Sequence, residues 1–320
     1  MRIAFHANQL SVRGTEVALY DYANHNERLL GNESLIITKR RSVFHNAEAI
    51  RRFEARFPIS LYDNPSEIDR LLQKAGIQLA YCIKGGRQDR IVIRSCPMVV
   101  HAVFEHYDPH GTVYAYVSDW LARKMSGGRL PFVPHMVDLP DTDETLRSEL
   151  GIPPDAIVFG RTGGQETFDL EFAHRAVYDV AQLDRGRYFL FLYTKPFCEP
   201  LPNIIHLPPT ADLVEKVKFI NTCDAMLHAG HAGETFGLAV AEFSARNKPV
   251  LTWSGSYGRA HIEHLGDRGI YYDDYAGLLA LLRTFAPNPH QNYDVFSERF
   301  SPERVMDQFR SVFIDGAFGR

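Results

Sequence analysis

Short apolar segments alternate with stretches of mixed polarity along the first part of the chain. The apolar segments have the length of strands, and the stretches between them are long enough for helices. We predict strands at residues 2–5, 34–38, 79–83, 98–102, 113–117 and 132–133. The predicted helices are residues 16–23, 47–57, 65–75 and 119–125. Strands that alternate with helices are typical of a parallel sheet covered by helices on both faces.

A second series of the same kind follows a segment at residues 137–143 that is rich in proline and acidic side chains. Its predicted strands are residues 156–159, 188–193, 204–207, 225–228, 250–252 and 270–272. Its predicted helices are residues 171–181, 210–221, 235–246 and 275–284, and the tail at 301–313 is also predicted to be helical, with Ser301 as its cap. Two α/β domains are therefore expected, with ligands bound beyond the carboxyl ends of the strands.

Composition narrows the class of protein without naming an activity. Hydrophobic residues make up 45% and charged residues 23% of the 320 residues, as in globular proteins. The formal net charge of −4 gives no global reason to expect a nucleic acid partner. The amino terminus has no apolar signal core, and no apolar run approaches the ~20 residues of a membrane-spanning helix. The four cysteines lack metal-binding or redox spacing, so we expect reduced thiols in a cytoplasmic protein.

Residues 224–253 contain the most informative pattern in the chain. An apolar strand leads through a turn to Glu234, a helix starts near Gly237, and Glu242 follows about two helical turns later. The free N–H groups at a helix start attract anions, and a glycine there lets a phosphate approach the backbone. A phosphate seat flanked by two carboxylates that accept hydrogen bonds from sugar hydroxyls suits a nucleotide-sugar donor.

This segment resembles the E-x7-E segment of retaining glycosyltransferases of the GT-B fold, family 4. The resemblance rests on Glu234 and the aromatic-Gly-Leu helix start that follows it, on Glu242, and on the Pro-Val strand at residues 249–250. It implies two doubly wound, Rossmann-like domains facing across a cleft. The expected domains are an N-terminal acceptor-side domain (1–138), a C-terminal nucleotide-sugar-binding domain (139–292), and a last helix (293–320) that crosses back to the first domain.

The resemblance also implies roles for individual residues. Glu234 would hold sugar hydroxyls near the anomeric carbon, and Glu242 would accept the ribose hydroxyls. Arg161 would face the diphosphate, and His101 would position the sugar from the first domain. The candidate donor-binding residues are Gly14, Thr15, Gly163, Gly164, Lys195, Thr235, Phe236, Gly237, Leu238 and Glu242.

Two of these positions have open alternatives. The lysine that the family places shortly after Arg161 is missing here, so backbone N–H groups of Gly163 and Gly164, or the side chain of Lys195, are candidates to replace it. Lys195 is equally interpretable as a surface cation. His101 is alternatively a buried core histidine, or a zinc ligand together with Glu105, His106 and His110, although their spacing matches no helical metal motif.

The expected function is a retaining, metal-independent transfer of a sugar from a nucleoside diphosphate to a hydroxyl of a glycan or lipid-linked glycan. No cofactor, metal ion or nucleic acid partner is expected. Basic residues at positions 39–41, 51, 52 and 56, interleaved with phenylalanines, raise the further hypothesis of a peripheral contact with an anionic membrane. The alternatives are a GT-B sugar epimerase or phosphorylase, a non-catalytic nucleotide-sugar-binding protein and, more distantly, a zinc hydrolase.

Overall fold

The computed structural model describes residues 1–319, and these divide into two compact units. The first unit contains Met1–Asp138 and the segment from Phe300 onward, and the second contains Leu139–Arg299. Hydrogen bonds explain why the second unit extends past the expected residue 292. Ser244 Oγ donates to the carbonyl of Tyr293, whose own N–H donates to the side chain of Asn247, and both contacts hold this segment to the second unit.

A six-stranded parallel sheet forms the centre of the first unit. Its strands are β1 (Arg2–Ala7), β2 (Glu33–Lys39), β3 (Ile59–Tyr62), β4 (Leu79–Lys84), β5 (Met98–Ala102) and β6 (Val113–Tyr116). They lie in the order β3-β2-β1-β4-β5-β6. The helices of this part are α1 (Gly14–Arg28), α2 (Ala47–Glu54), α3 (Ile68–Lys74), preceded by a 3-10 turn at Pro65–Glu67, and α4 (Asp119–Ser126).

The second unit repeats this architecture. Its main sheet contains β7 (Ile157–Thr162), β8 (Arg187–Leu192), β9 (Ile204–Leu207), β10 (Ala225–His228), β12 (Val250–Trp253) and β14 (Ile270–Tyr272), and β11 (Gly233–Glu234) pairs with β13 (Gly258–Arg259) in a separate ribbon. The main sheet has the order β14-β12-β10-β7-β8-β9. When the strands of each main sheet are numbered from one, both sheets have the order 3-2-1-4-5-6 of a dinucleotide-binding fold.

The second unit contributes helices α5 to α9, and the chain ends with a helix in the first unit. These elements are α5 (Glu171–Leu183), α6 (Leu213–Thr222), α7 (Leu238–Ala245), α8 (Ala260–Leu265), a 3-10 turn (Gly266–Arg268), α9 (Tyr275–Thr284), α10 (Pro302–Phe309), a π turn (Arg310–Asp315) and α11 (Gly316–Phe318). Ser301 caps α10, as predicted. Phe309 and Phe313 then pack against Tyr81 of β4, which anchors the terminal helix on the first sheet.

Three sequence predictions differ from the structure. Strand β3 was not predicted, and at positions 132–133 the predicted strand is reduced to one bridge between Phe132 and Tyr116. Helix α7 was expected from residue 235 but begins at Leu238, because Gly233–Glu234 is held as a strand by Gly258–Arg259. Within residues 1–319, no helix is both long enough and apolar enough to span a membrane.

Candidate functional site

The candidate site lies at the carboxyl edge of the second sheet, where the strand order reverses. Strand β7 ends with Arg161 and Thr162, and its neighbour β10 ends with His228. Strand β12, on the other side of β10, places Thr252 beside His228. Ligands of doubly wound sheets bind at this switch point, so the polar residues gathered here are the first candidates for function.

Arg161 is held rigidly at this edge. Its guanidinium donates to Thr194 Oγ1 at 2.5 Å, to Thr167 Oγ1 at 2.5 Å and to the Gly164 carbonyl at 3.0 Å, and the residue is 4% exposed. Burial lowers the pKa of Arg161 to about 10, while the negative charges of Glu234 and Asp169 oppose that shift. The side chain is therefore a fixed cation at neutral pH.

The glycine turn after β7 and Lys195 both lie next to this arginine. A Cβ on Gly163 would come within 2.9 Å of Arg161 Nη2, so the turn requires a small residue for the arginine to keep its position. Lys195 follows Thr194, the hydroxyl partner of Arg161, and forms an ion pair with Glu166. The structure thus brings Lys195 to the vicinity of the turn, with most of its side chain exposed.

Helix α7 begins at a tight junction that only glycine fits. Gly237 has φ of +93°, and a Cβ there would lie 3.1 Å from His261 Cβ and 3.3 Å from Glu234 Cβ. Gly237 is the N-cap residue of α7, which begins at Leu238, and no side chain caps this helix start. Phe236 is buried against Phe296, so it serves packing.

Glu242 is almost completely buried within α7. Its Oε1 lies 2.5 Å from the Nζ of Lys216 on α6, and the residue is 2% exposed. Its Oε2 is also buried, and within residues 1–319 it has no hydrogen-bonding partner. A buried acceptor without a donor is energetically unfavourable, and a ligand hydroxyl would remove that cost. Lys216 was not predicted from the sequence, because its partner lies on another helix.

Glu234, on β11, is the partly exposed carboxylate of the candidate site. Its Oε1 is 3.3 Å from His228 Nε2, and about a third of its side chain is exposed. Its charge acts on Arg161, as the pKa of that arginine indicates. The second unit therefore combines a fixed cation, a partly exposed carboxylate and a buried carboxylate around one helix start.

In the first unit, the buried carboxylate of Glu16 holds the segment that leads to Gly14 and Thr15. The Glu16 carboxylate accepts hydrogen bonds from Ser11 Oγ at 2.5 Å and from Gln9 Nε2 at 3.0 Å, and burial raises its pKa. Helix α1 begins at Gly14, which is exposed. This arrangement leaves the glycine backbone accessible at the carboxyl side of β1.

His101 occupies the core of the first unit, so the buried-core interpretation describes it. Its Nδ1 lies 2.6 Å from the Tyr81 hydroxyl, its ring packs on Tyr22 and Phe313, and it is 0% exposed. Burial lowers the pKa of His101 to about 3, so the imidazole is neutral. In this conformation its ring faces protein side chains, which gives no support to direct contact with a donor sugar.

The residues of the alternative zinc site have other partners. Glu105 pairs with Lys124 at 2.6 Å, and His110 Nε2 lies 3.4 Å from Lys84 Nζ. Across the described part of the chain, residues 1–319, no three His, Cys, Asp or Glu side chains are gathered in a metal-binding arrangement. The zinc interpretation thus has no geometric support in these residues.

Comparison with known proteins gives the fold a name. No protein-family model matches the sequence, and no curated protein matches it. Among solved structures, the chain is similar to Anabaena HepE in complex with UDP and glucose, with a TM-score of 0.74 and 15% identity over 97% of this chain and 98% of that chain. It is also similar to AviGT4, a glycosyltransferase involved in avilamycin A biosynthesis (TM-score 0.65, 12% identity, 100% and 99% coverage).

A third similar structure is a Listeria monocytogenes protein assigned as a UDP-N-acetylglucosamine 2-epimerase (TM-score 0.61, 9% identity, 99% and 96% coverage). Together with the two six-stranded parallel sheets, these likenesses define the fold: the chain has the GT-B fold of glycosyltransferases. The predicted fold class is confirmed.

Proposed function

We propose that this protein is a glycosyltransferase that binds a nucleoside diphosphate sugar in its second unit and transfers the sugar to an acceptor hydroxyl. The proposal includes family 4 membership, retention of configuration at the anomeric carbon and independence from metal ions and cofactors. The observation that carries it is the buried Glu242 carboxylate, whose Oε2 lacks a partner within residues 1–319, on the helix that starts beside Glu234.

Each charged group suits one part of such a donor. Arg161 is a fixed cation that would stabilise the departing diphosphate, and the N–H groups at the start of α7 would add to this. Glu242 Oε2 would accept a ribose hydroxyl, and Glu234 would hold sugar hydroxyls near the reacting carbon. The leaving phosphate would take the proton of the acceptor hydroxyl, so no covalent nucleophile on the protein is required.

The donor base to try first is uracil. Solved structures of the similar protein HepE contain UDP or UDP-glucose. The acceptor proposed for this chain is a glycan or lipid-linked glycan, as the family resemblance implies.

A peripheral contact with an anionic membrane is also proposed, on the first unit. Val43 is 92% exposed and Phe44 is 59% exposed, and only Ser42 separates them from Arg40 and Arg41. Exposed apolar side chains beside cations suit the boundary between lipid headgroups and acyl chains. Sedimentation with vesicles that contain phosphatidylserine, against phosphatidylcholine vesicles, tests this. Equal sedimentation with both would reject the contribution of charge.

The second candidate function is epimerisation of a nucleotide sugar, which the likeness to the Listeria protein favours. An epimerase would convert the donor into an isomer when no acceptor is present. A transferase would require an acceptor and release free nucleotide. The two activities are therefore separable by their products.

The first experiment is a thermal-shift titration with UDP, GDP, ADP, CMP and dTDP, each with and without EDTA. A ligand that binds only the folded state raises the melting temperature by mass action. Stabilisation by one nucleotide, unchanged by EDTA and lost in Glu242→Gln, supports the proposed metal-independent site. NMR of the products formed from the matching nucleotide sugar then distinguishes transfer with retention from transfer with inversion, and both from epimerisation. No stabilisation by any nucleotide would overturn the proposal.

A further inference from the structure

A chain of three hydrogen-bonding contacts runs from the interior of the second unit to Glu234. Glu234 Oε1 lies 3.3 Å from His228 Nε2, and His228 Nδ1 lies 2.9 Å from Thr252 Oγ1. Thr252 Oγ1 in turn lies 3.1 Å from His261 Nε2. The four residues come from β11, β10, β12 and α8, so the chain links four separate elements.

This chain of hydrogen bonds is shielded from water except at Glu234. Thr252 and His261 are 0% exposed and His228 is 7% exposed, whereas about a third of the Glu234 side chain is exposed. The rings of His228 and His261 lie 4.5 Å apart between centroids. Contacts between buried polar groups are strengthened by the low local dielectric constant, so the chain has the properties of a rigid support.

If both imidazole rings carry one N–H, the donors and acceptors of these three hydrogen bonds follow one direction. Burial, together with the nearby His228 and Arg259, lowers the pKa of His261, so its ring is neutral and has one N–H. A carboxylate of Glu234 can only accept, so a His228 ring with one N–H would donate to it through Nε2–H and accept at Nδ1. Thr252 must then donate to His228 and accept from the Nε2–H of His261. The opposite direction would place the lone pair of His228 Nε2 against a carboxylate.

We infer that His228, Thr252 and His261 are positioning residues that fix the carboxylate of Glu234 and leave its Oε2 for the sugar. This inference rests on the proposed function. It also couples Glu234 to the phosphate seat, because a Cβ on Gly237 at the start of α7 would lie within 3.1 Å of His261 Cβ. These hydrogen bonds would thus keep the carboxylate of Glu234 in a fixed position relative to the start of α7.

The direct test is the pair Thr252→Val and Thr252→Ser. Valine keeps the branched shape but removes the hydroxyl that joins the two histidines, whereas serine keeps the hydroxyl. For Thr252→Val we expect kcat to fall roughly tenfold, as for the loss of one buried hydrogen bond, with little change in the Kd for the nucleotide. For Thr252→Ser we expect near wild-type kcat. Equal kcat values in the wild type and Thr252→Val, or equal losses in both variants, would overturn the positioning role.

A second measurement does not depend on activity. Long-range 1H–15N NMR of the imidazoles identifies which ring nitrogen is protonated in the free protein. We expect the Nε2–H tautomer for both His228 and His261, and a changed His228 signal in Thr252→Val. A His228 ring protonated at Nδ1 alone would overturn the chain as described. If the wild-type protein transfers no sugar, the proposed function fails, and the tautomers alone then decide whether the hydrogen-bonded chain exists.

Discussion

Lys216 Nζ lies 2.5 Å from Glu242 Oε1, and this ion pair joins α6 to α7 in the second unit. The pair occupies one oxygen of the carboxylate and fixes the direction of the other. Because Glu242 is buried, its orientation cannot be adjusted by solvent, and Oε2 has no partner within residues 1–319. In the proposed function, this Oε2 would be the acceptor for a ribose hydroxyl.

Replacing Glu242 with glutamine should weaken donor binding. The amide keeps the size of the side chain but removes the negative charge, and a hydrogen bond to a charged group contributes about 1.5–3 kcal/mol. We expect the Kd for the nucleotide, measured by calorimetry, to rise roughly ten- to hundredfold, with a smaller change in kcat. The control is Glu215→Gln, the same change at an exposed position of α6. An unchanged Kd in Glu242→Gln would remove the ribose assignment.

Replacing Glu234 with glutamine should act mainly on turnover. The amide oxygen can still accept from His228, but the group that faces the sugar becomes an NH2 without charge. We expect kcat to fall roughly a hundredfold or more, as when an electrostatic contact to the reacting centre is lost, with the Kd for the nucleotide close to the wild-type value. Glu171→Gln, at the exposed start of α5, is the control. Wild-type turnover in Glu234→Gln would defeat this assignment.

Lys195 should contribute to nucleotide affinity if it replaces the missing family lysine. Its ion pair with Glu166 is exposed, so it is free to exchange that partner for a phosphate. For Lys195→Ala we expect a several-fold to tenfold higher Kd for the nucleoside diphosphate, and a difference from wild type that shrinks at high salt. Lys74→Ala, an exposed lysine of α3, serves as the control. Equal affinities for the wild type and Lys195→Ala would show that Lys195 is only a surface cation.

The sequence predicted the repeated α/β architecture because most strands of the two main sheets are local apolar runs. It missed β3 because this edge strand has four residues, of which only Tyr62 is fully buried, so its pattern is weak. It placed the start of α7 at residue 235 because the pairing of Gly233 with Gly258 joins residues far apart in the chain. Local patterns do not contain such long-range constraints.

The same limit applies to the candidate site. Arg161 and Glu242 were found because each stands within a recognisable segment. Lys216 and His261 were not found, because their partners in the site come from other elements of the fold. His101 was chosen as a site residue from its place near the end of a strand, and the packing of the terminal helix encloses it, so its role toward a donor sugar stays a prediction. Sequence position alone does not give burial.

Replacing Gly237 with alanine should destabilise the second unit and weaken donor binding together. The substitution adds a Cβ at φ of +93° and 3.1 Å from His261 Cβ, so both backbone strain and a steric conflict oppose it. We expect about 1–3 kcal/mol lower stability in urea unfolding. Gly151→Ala is the control, because Gly151 also has positive φ (+64°) but has nothing within 4 Å of the added Cβ. If both variants lose the same stability, the crowding at the helix start is unimportant.

The first unit should lose stability as the pH falls below about 6.5. In the folded state burial lowers the pKa of His101 to about 3 from an ordinary value of 6.5, so between these values the unfolded chain binds a proton that the folded chain does not. Stability is therefore fully present above pH 6.5 and decreases by up to ~1.4 kcal/mol per pH unit for this group as the pH falls.

The measurement is urea unfolding at pH 7, 6 and 5, followed by the fluorescence of Trp120 in a Trp253→Phe background, since the chain has two tryptophans. We expect the slope of stability against pH to decrease in His101→Gln, whose amide can still bond to Tyr81, and to be unchanged in the control His290→Gln at an exposed position. An identical slope in the wild type and His101→Gln would mean that the imidazole is protonated without unfolding.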